Sequence, residues 1–273
     1  MLLSGLRTRA DLISLDSARA KAVERIGLAR RRASVQFART YPHVAVNSEF
    51  TRTWTRRWWG VESDVVPPPV VPRPLGHKER VILSVGRFFP PDRGHSKRQA
   101  EMVEAFRSVI AAGASGWQLH LVGACQSEDR PYLDAVRRAA EGLPVTLHVD
   151  APGGELDSLY SRASIYWHAT GLGAERGRPE DQEHFGIAPV EAMSAGAVPV
   201  VYRGGGPART VGHGEEGFHF STVDELVSHT RTLVDNDALR KAMSARARAR
   251  ALDYSLDAAA ATLGRILGHP DRV

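Results

Sequence analysis

In its second half the chain reads Glu183-His-Phe-Gly-Ile-Ala-Pro-Val-Glu191-Ala-Met-Ser-Ala-Gly196-Ala-Val-Pro-Val-Val201. Pro189 suits the first turn of a helix, where its missing N–H breaks no bond. Gly196 suits the end of that helix, and the apolar run that follows it indicates a buried strand. The stretch therefore predicts a loop, a helix and a strand in succession, with Glu183 in the loop and Glu191 on the helix.

The start of this helix is a candidate anion site. The N–H groups near Gly186, Ile187 and Ala188 have no partner inside the helix, and they point out of its positive end. Such an end suits a phosphate group, and the two carboxylates suit a phosphorylated sugar or nucleotide. The spacing fits equally well a capped surface helix with two unrelated glutamates, so at this point both interpretations stay open.

Strands and helices alternate along the rest of the chain. The predicted strands are Arg80–Gly86, Trp117–Gly123, Val145–Val149, Ile165–Ala169, Val198–Tyr202 and Phe218–Phe220. Helices are predicted at Lys97–Ala112, Tyr132–Glu141 and Leu156–Ala163, and three more at Thr222–Val234, Leu239–Leu252 and Leu256–Leu267. The strands are apolar on both faces, which is typical of a parallel sheet covered by helices on both sides. The predicted fold is therefore α/β, a Rossmann-like doubly wound parallel sheet.

Several charged groups follow strands of this sheet. Right-handed crossovers bring the strand-to-helix loops to one edge, where ligands of such sheets bind. Arg87 follows the first strand and Lys97 opens the next helix, so both can reach the anion at the amides before Ile187. A guanidinium fork and an ammonium together suit a diphosphate. We also expect the turn Gly204-Gly-Gly-Pro207 to let the backbone approach a ligand closely.

Other classes of site are disfavoured by composition. The single cysteine excludes an internal disulfide and a cysteine metal cluster, and His168 and His184 have no ligand-spaced partner. No G-x-G-x-x-G dinucleotide fingerprint is present, because Arg209 occupies the last glycine position, and there is no Walker-type phosphate loop. No apolar run reaches the length of a membrane span, and no signal peptide is expected. The net charge of +5 suits anionic substrates or an anionic membrane surface.

The first 74 residues have a different pattern. One or two helices are predicted within residues 7–40, a strand at His43–Ser48, a helix at Thr51–Trp59 capped by Ser48, and a second short strand at residues 63–66. Packing is expected for the tryptophans of this helix. Pro67–Pro74 is a stiff extended segment and the best candidate for a linker.

Five motifs in order resemble family 4 retaining glycosyltransferases of the glycosyltransferase-B fold. They are Val85-Gly-Arg-Phe88, His95-Ser-Lys97, Trp167-His168, the stretch from Glu183 to Gly196, and Gly205-Gly-Pro207. The resemblance covers residues 80 to about 265 and implies the C-terminal, donor-binding half of that fold. It divides the chain into residues 1–72, an incomplete N-terminal acceptor-side domain with the linker, and residues 73–273, the nucleotide-sugar domain.

The resemblance also implies roles for individual residues. Arg87 and Lys97 would hold the donor diphosphate and stabilise the departing nucleotide, and Glu183 would contact the transferred sugar. Glu191 would bind the ribose hydroxyls. The donor would also be lined by Gly86, Phe185, Gly186, Ile187 and Ala188.

The implied reaction moves a mannose- or glucose-type hexose from a nucleoside-diphosphate sugar to a saccharide or lipid-linked acceptor, with retention of configuration. No metal, cofactor or nucleic acid is expected, and the expected location is cytoplasmic, with peripheral contact at the inner membrane face.

Two features depart from the resemblance. Ala208 and Arg209 follow the Gly-Gly-Pro turn, where such families often carry Glu. A domain of this size class has ~150–200 residues, but only about 70 precede the linker, so we expect most of the acceptor domain to be absent. Three functions therefore remain: a glycosyltransferase, a non-catalytic nucleotide-sugar-binding protein, or a sugar-nucleotide epimerase or other Rossmann-like enzyme, which the missing dinucleotide fingerprint disfavours.

Overall fold

The computed structural model describes residues 35–175 and 177–268. Of the span 7–40, in which one or two helices are predicted, residues 7–34 lie outside the described residues, and residues 35–38 are helical. The first described unit is a two-stranded parallel sheet of β1 (Ala45–Val46) and β2 (Asp64–Val65), connected by helix α1 (Glu49–Trp59). Ser48 caps α1 as predicted, since its Oγ accepts a hydrogen bond from the Thr51 N–H at 3.1 Å.

Helix α1 is less buried than its three tryptophans suggested. Trp58 and Trp59 keep 52% and 48% of their surface exposed, so the prediction that they pack was wrong for these two. Trp54 and Trp58 contact each other edge to face with ring centroids 5.0 Å apart. These two tryptophans therefore contact each other along the helix, and Trp58 is not buried in a core.

The main body is a six-stranded, wholly parallel sheet. Its strands are β3 (Val81–Val85), β4 (Gln118–Gly123), β5 (Val145–Val149), β6 (Ile165–His168), β7 (Val198–Tyr202) and β8 (Phe218–Phe220), in the order β5-β4-β3-β6-β7-β8. The order reverses between β3 and β6, and ligands of such sheets bind at that switch point. The predicted doubly wound α/β fold is confirmed.

Helices cover both faces of this sheet. They are α2 (Gln99–Ala111), α3 (Arg130–Ala139), α4 (Gly153–Arg162), α5 (Ile187–Ser194), the short α6 (Pro207–Thr210), α7 (Val223–Asp235), α8 (Asp237–Ala251) and α9 (Leu256–Leu267). The largest correction for the site concerns α2, which starts two residues later than predicted. Arg98 is left-handed at φ 59°, so Lys97 lies in the loop before the helix.

Strand β6 shows how the sheet separates its two faces. Side chains of consecutive strand residues point to opposite faces. Trp167 packs with Phe106 of α2 in one buried cluster, and its indole N–H donates to Thr230 Oγ1 of α7 at 3.0 Å. Tyr166 belongs to the cluster on the other face, with Tyr160 of α4. His168 follows Tyr166 by two residues and therefore lies on the α4 and α5 side of the sheet.

The segment Pro67–Pro74 has neither helix nor strand, as predicted. It is not a free spacer, because the Val70 N–H donates to Tyr254 O at 2.8 Å and the Arg73 N–H to Ser194 Oγ at 2.9 Å. Val70 is 5% exposed. The linker is thus bound along α5 and the residues that follow α8, while the division at residue 72 stays a prediction.

Candidate active site

Lys97 and Glu183 form the centre of the candidate site. The loop before α2 carries Lys97, the loop before α5 carries Glu183, and Lys97 Nζ lies 2.5 Å from Glu183 Oε2. The two side chains are only 16% and 22% exposed. Burial by itself opposes ionisation of Glu183, but the Lys97 ammonium beside it helps to hold its pKa below the ordinary value. The pair therefore presents one anion and one cation at the carboxyl edge of the sheet.

Gly86 is needed to place the Lys97 side chain. A Cβ at Gly86 would lie 2.5 Å from Lys97 Cγ, so the lysine stem crosses the glycine where no side chain fits. Gln99 fixes the same loop, since its Nε2 donates to the carbonyls of Gly86 at 3.2 Å and Arg87 at 3.0 Å. Gln99 was missed from the sequence because nothing in its local pattern indicates a bond back to the preceding loop.

The Glu183 loop is held from behind by the glycine turn. The Gly206 N–H donates to Glu183 O at 2.7 Å, and a Cβ at Gly205 or Gly206 would lie within 2.3 Å of the backbone of Glu183 or His184. Gly205 also has a left-handed φ of 67°. The predicted close approach at this turn exists, but the surface approached is the Glu183 loop. Ser48 adds a bond from the first unit, its Oγ donating to His184 O at 2.6 Å.

The start of α5 has the free amides that its sequence predicted. Gly186 occupies the cap position with φ 89° and gives no side-chain cap. Within the described part of the chain, no acceptor takes the N–H groups of Gly186, Ile187 or Ala188. Ile187 is 48% exposed, so the helix end opens to solvent. These amides lie just after Glu183 in the chain and are available to an anion.

Of two further residues predicted to contact the donor, the Arg87 side chain is exposed and the Phe185 side chain is buried. Arg87 is exposed, lies over the Phe89 ring at 5.4 Å, and lines a small cavity of about 160 Å³ with His95 and Arg93. Phe185 is 4% exposed and packs edge to face on Tyr254 with centroids 5.4 Å apart. Only the backbone of Phe185 is left to contact a donor, whereas the Arg87 guanidinium is free to turn.

Glu191 lies in a separate polar cluster on the second turn of α5. Arg73 of the linker donates from Nε to Glu191 Oε1 at 3.0 Å and from Nη2 to the same oxygen, and its Nη1 donates to Asp157 at 2.8 Å. The Tyr160 hydroxyl donates to Glu191 Oε2 at 2.8 Å. A carboxylate offers about four acceptor positions, so these three bonds leave one position on Oε2 for a ribose hydroxyl.

His168 lies beneath the Lys97–Glu183 pair. Its Nε2 is 3.7 Å from Glu183 Oε2, and the residue is 3% exposed. Burial and the neighbouring Lys97 ammonium lower the pKa of His168 to about 3, so the ring is neutral at neutral pH. In the sequence, His168 belongs to the Trp167-His168 motif and has no ligand-spaced partner, and neither feature indicates a contact with Glu183. No group of three or more His, Cys, Asp or Glu side chains within residues 35–175 and 177–268 is arranged to hold a metal ion.

The site residues thus fall into two groups along one edge. Lys97, Glu183 and the α5 amides form one group, and Glu191 with Arg73 and Tyr160 forms the other. Tyr166 stacks on Tyr160 with centroids 6.4 Å apart, and both Glu191 and Glu183 act to raise its pKa, after the larger effect of its burial. Both carboxylates therefore act electrostatically on Tyr166. No helix in the described portion is long and apolar enough to cross a bilayer.

Comparison with solved structures gives the same architecture. The Anabaena protein HepE, in complex with UDP and glucose, superposes with a TM-score of 0.70 at 18% identity over 87% of this chain and 66% of that chain. A sucrose-phosphate synthase from Thermosynechococcus elongatus superposes with a TM-score of 0.65 at 22% identity, covering 82% of this chain and 57% of that one. These identities support a shared fold.

Curated relatives are similar over the same region. A GDP-Man:Man(3)GlcNAc(2)-PP-Dol alpha-1,2-mannosyltransferase of Dictyostelium discoideum is 28% identical over 213 residues, 70% of this chain and 40% of the relative. The Homo sapiens protein of the same description is 28% identical over 180 residues, 60% of this chain and 34% of that protein. The chain therefore spans well under half the length of these relatives.

A family model described as Glycosyl transferases group 1 matches residues 72–250. The match contains the six-stranded sheet and every group of the candidate site, and it covers more than half of the chain. The chain belongs to the glycosyl transferases group 1 family.

Proposed function

We propose that this chain binds GDP-mannose and provides the donor half of a retaining mannosyltransferase. The observation that carries the proposal is the buried Lys97–Glu183 pair beside the free amides of α5. A cation with helix-end N–H groups suits a diphosphate, and an anion suits sugar hydroxyls, which supports the proposal. Mannose, rather than another hexose, is proposed because the Dictyostelium discoideum and Homo sapiens relatives are described as GDP-Man mannosyltransferases.

Each group has a proposed part in the reaction. As the sugar–phosphate bond breaks, negative charge grows on the phosphate oxygens of the leaving nucleotide. Lys97, a rotated Arg87 and the amides of Gly186 and Ile187 stabilise that charge, an effect often worth several kcal/mol. Glu183 orients the sugar through its hydroxyls, and Glu191 accepts from the ribose. The acceptor hydroxyl attacks from the face that the nucleotide leaves and passes its proton to the departing phosphate oxygen, so no covalent enzyme intermediate of the glycosidase type is needed.

The wider setting is part of the same proposal. Positive charge from Lys97 and Arg87 replaces a metal ion, and no cofactor takes part. The acceptor is a saccharide or a lipid-linked saccharide. The reaction takes place on the cytoplasmic side, and the net charge of +5 supports peripheral contact with an anionic membrane.

A calorimetric panel tests the donor site. GDP-, UDP- and ADP-sugars are titrated into the full chain and into Lys97→Met, with Lys241→Met as the matched control. Lys241 is 78% exposed and pairs with Asp237 at 2.7 Å, away from the site. We expect GDP-mannose to bind the unmodified chain and Lys241→Met alike, and Lys97→Met at least tenfold more weakly. No binding of any nucleotide sugar by the folded chain would refute the proposal.

A second candidate is a binding protein without turnover, because Lys97, Glu183 and the free amides of α5 suit donor binding whether or not transfer follows. Release of GDP from GDP-mannose, measured with and without lipid-linked oligosaccharide acceptors, separates the two. Acceptor-dependent release supports the transferase. Tight binding of GDP-mannose with no release under any acceptor would support the binding protein.

A further inference from the structure

Binding of a donor would make its diphosphate compete with Glu183 for the Lys97 ammonium. Lys97 Nζ is the one hydrogen-bond donor to the Glu183 carboxylate among the residues that the structure describes. The proposed function requires the same ammonium to hold a diphosphate. A diphosphate carries more negative charge than a carboxylate, and it draws the ammonium towards itself. Glu183 is then left as a mostly buried anion beside a second, more strongly charged anion.

An uncompensated anion in that position is costly. Glu183 is 22% exposed, so water reaches it only in part. A buried charge that loses its hydrogen-bond partner destabilises the state that contains it. A second donor within reach of Glu183 would therefore strengthen donor binding and keep the carboxylate aimed at the sugar.

His168 supplies such a donor. Its Nε2 is fully buried, has no hydrogen-bond partner within the described residues, and lies 3.7 Å from Glu183 Oε2. That separation is slightly too long for a hydrogen bond, and a small shift of the Glu183 side chain closes it. Since the neutral ring carries one proton, the Nε2–H form donates to a carboxylate. A buried polar group without a partner is rare in proteins and calls for an explanation.

We propose that His168 is a positioning residue that takes over the Glu183 carboxylate when the donor diphosphate draws Lys97 away. The proposal rests on the proposed function of Lys97 and Glu183. His168 touches neither nucleotide nor sugar, and it acts through Glu183. The Lys97 contact holds Glu183 before a donor binds, and the imidazole N–H holds it in the complex.

Two other titratable groups near Glu183, His95 and Tyr166, do not offer a hydrogen bond to its carboxylate. His95 lies in the loop that also carries Lys97, and burial together with Lys97 lowers its pKa. Tyr166, on the strand that carries His168, has its hydroxyl 3.4 Å from both the N–H and the carbonyl of Val85. His168 is the titratable group with an unused polar atom directed at the carboxylate.

The test is a double-mutant cycle with GDP-mannose affinity as the readout, so no acceptor is needed. His168→Leu removes the donor at similar size, and His168→Gln restores an N–H near the position of Nε2. Both are made in the unmodified chain and in Glu183→Gln. His120→Leu is the control, because His120 is also a buried, neutral histidine of the sheet and bonds to His148 at 2.8 Å, away from the site.

We expect His168→Leu to weaken GDP-mannose binding about tenfold, the effect of one hydrogen bond to a charged group. His168→Gln should recover most of that loss, and His120→Leu should leave the affinity unchanged. In the Glu183→Gln background, His168→Leu should change the affinity by less than about twofold, because the neutral amide needs no replacement partner.

Two results would overturn the inference. The first is an equal loss of GDP-mannose affinity from His168→Leu in both backgrounds, which would mean that His168 supports the fold rather than Glu183. The second is a His168→Gln variant that binds GDP-mannose as weakly as His168→Leu, which would mean the same. Both failures leave GDP-mannose binding by the unmodified chain intact. Absence of that binding would instead refute the proposed function, and the inference with it.

Discussion

Removal of the Arg73 side chain should destabilise the protein more than any exposed arginine does. Arg73 gives Glu191 two of its three hydrogen bonds, pairs with Asp157, and lies over the Tyr160 ring at 5.2 Å. After Arg73→Ala, Glu191 at 13% exposure keeps only the Tyr160 hydroxyl. Breaking a fully buried ion pair costs about 3–5 kcal/mol. Arg73 itself is 25% exposed, so water replaces part of the loss, and we expect about 2.5 kcal/mol.

Urea unfolding followed by circular dichroism measures this free energy. With a slope of about 3 kcal/mol per molar urea for a chain of this size, the midpoint should fall by about 0.8 M. Arg52→Ala is the matched control, because the Arg52–Glu49 pair is about half exposed on both sides and should be worth less than about 0.5 kcal/mol. A midpoint for Arg73→Ala that equals that of Arg52→Ala would refute the assignment of Arg73 as the partner of Glu191.

Three further perturbations follow from the structure. Gly86→Ala should weaken GDP-mannose binding about tenfold with little loss of stability, because the new Cβ would lie 2.5 Å from Lys97 Cγ and displace the lysine. Acidification from pH 7 to 4.5 should lower the free energy of unfolding by about 2 kcal/mol for each of His120 and His168. In the folded protein their pKa values are about 4 and about 3, so both rings stay neutral over most of this range. In the unfolded chain a histidine takes up its proton near pH 6.5, so acidification favours the unfolded state. Glu191→Gln should weaken GDP binding severalfold in calorimetry, because a neutral amide is a poorer acceptor for ribose hydroxyls.

Each of these three predictions can be refuted by a specific result. Gly153→Ala is the control for the glycine substitution, since nothing lies within 4 Å of its added Cβ, and affinities equal to that control would show that the Lys97 stem is not needed at its present place. Stability that is constant or rises on acidification would mean that the two histidines are protonated in the fold. GDP affinity unaffected by Glu191→Gln would place the ribose elsewhere.

The sheet could be predicted because its strands are local and apolar. The strand at Phe218–Phe220 and the helix at Leu256–Leu267 have the predicted bounds. The placement of Lys97 beside Glu183 also followed from sequence, since strand-to-helix loops of a parallel sheet meet at one edge. Helix starts were less predictable: α3 and α4 begin two and three residues earlier than expected, at Arg130 and Gly153, because neither start carries a side-chain cap as a signal.

The remaining features depend on contacts between distant residues. Arg73 lies in a proline-rich segment and meets Glu191 118 residues later, so nothing near either residue in sequence indicates the pair. His168 looks isolated in sequence, and only the register of β6 brings it beneath Glu183. The glycines at 205 and 206 were expected to approach a ligand, but a turn that lacks side chains serves backbone packing equally well, and here it packs on the Glu183 loop.

A crystal structure of the chain soaked with GDP-mannose tests the central claim most directly. The account predicts the diphosphate within hydrogen-bond distance of Lys97 Nζ and of the amides of Gly186 and Ile187, with the sugar hydroxyls on Glu183 and the ribose at Glu191. A nucleotide bound at any other place, with Lys97 still paired to Glu183 and the start of α5 unoccupied, would contradict it.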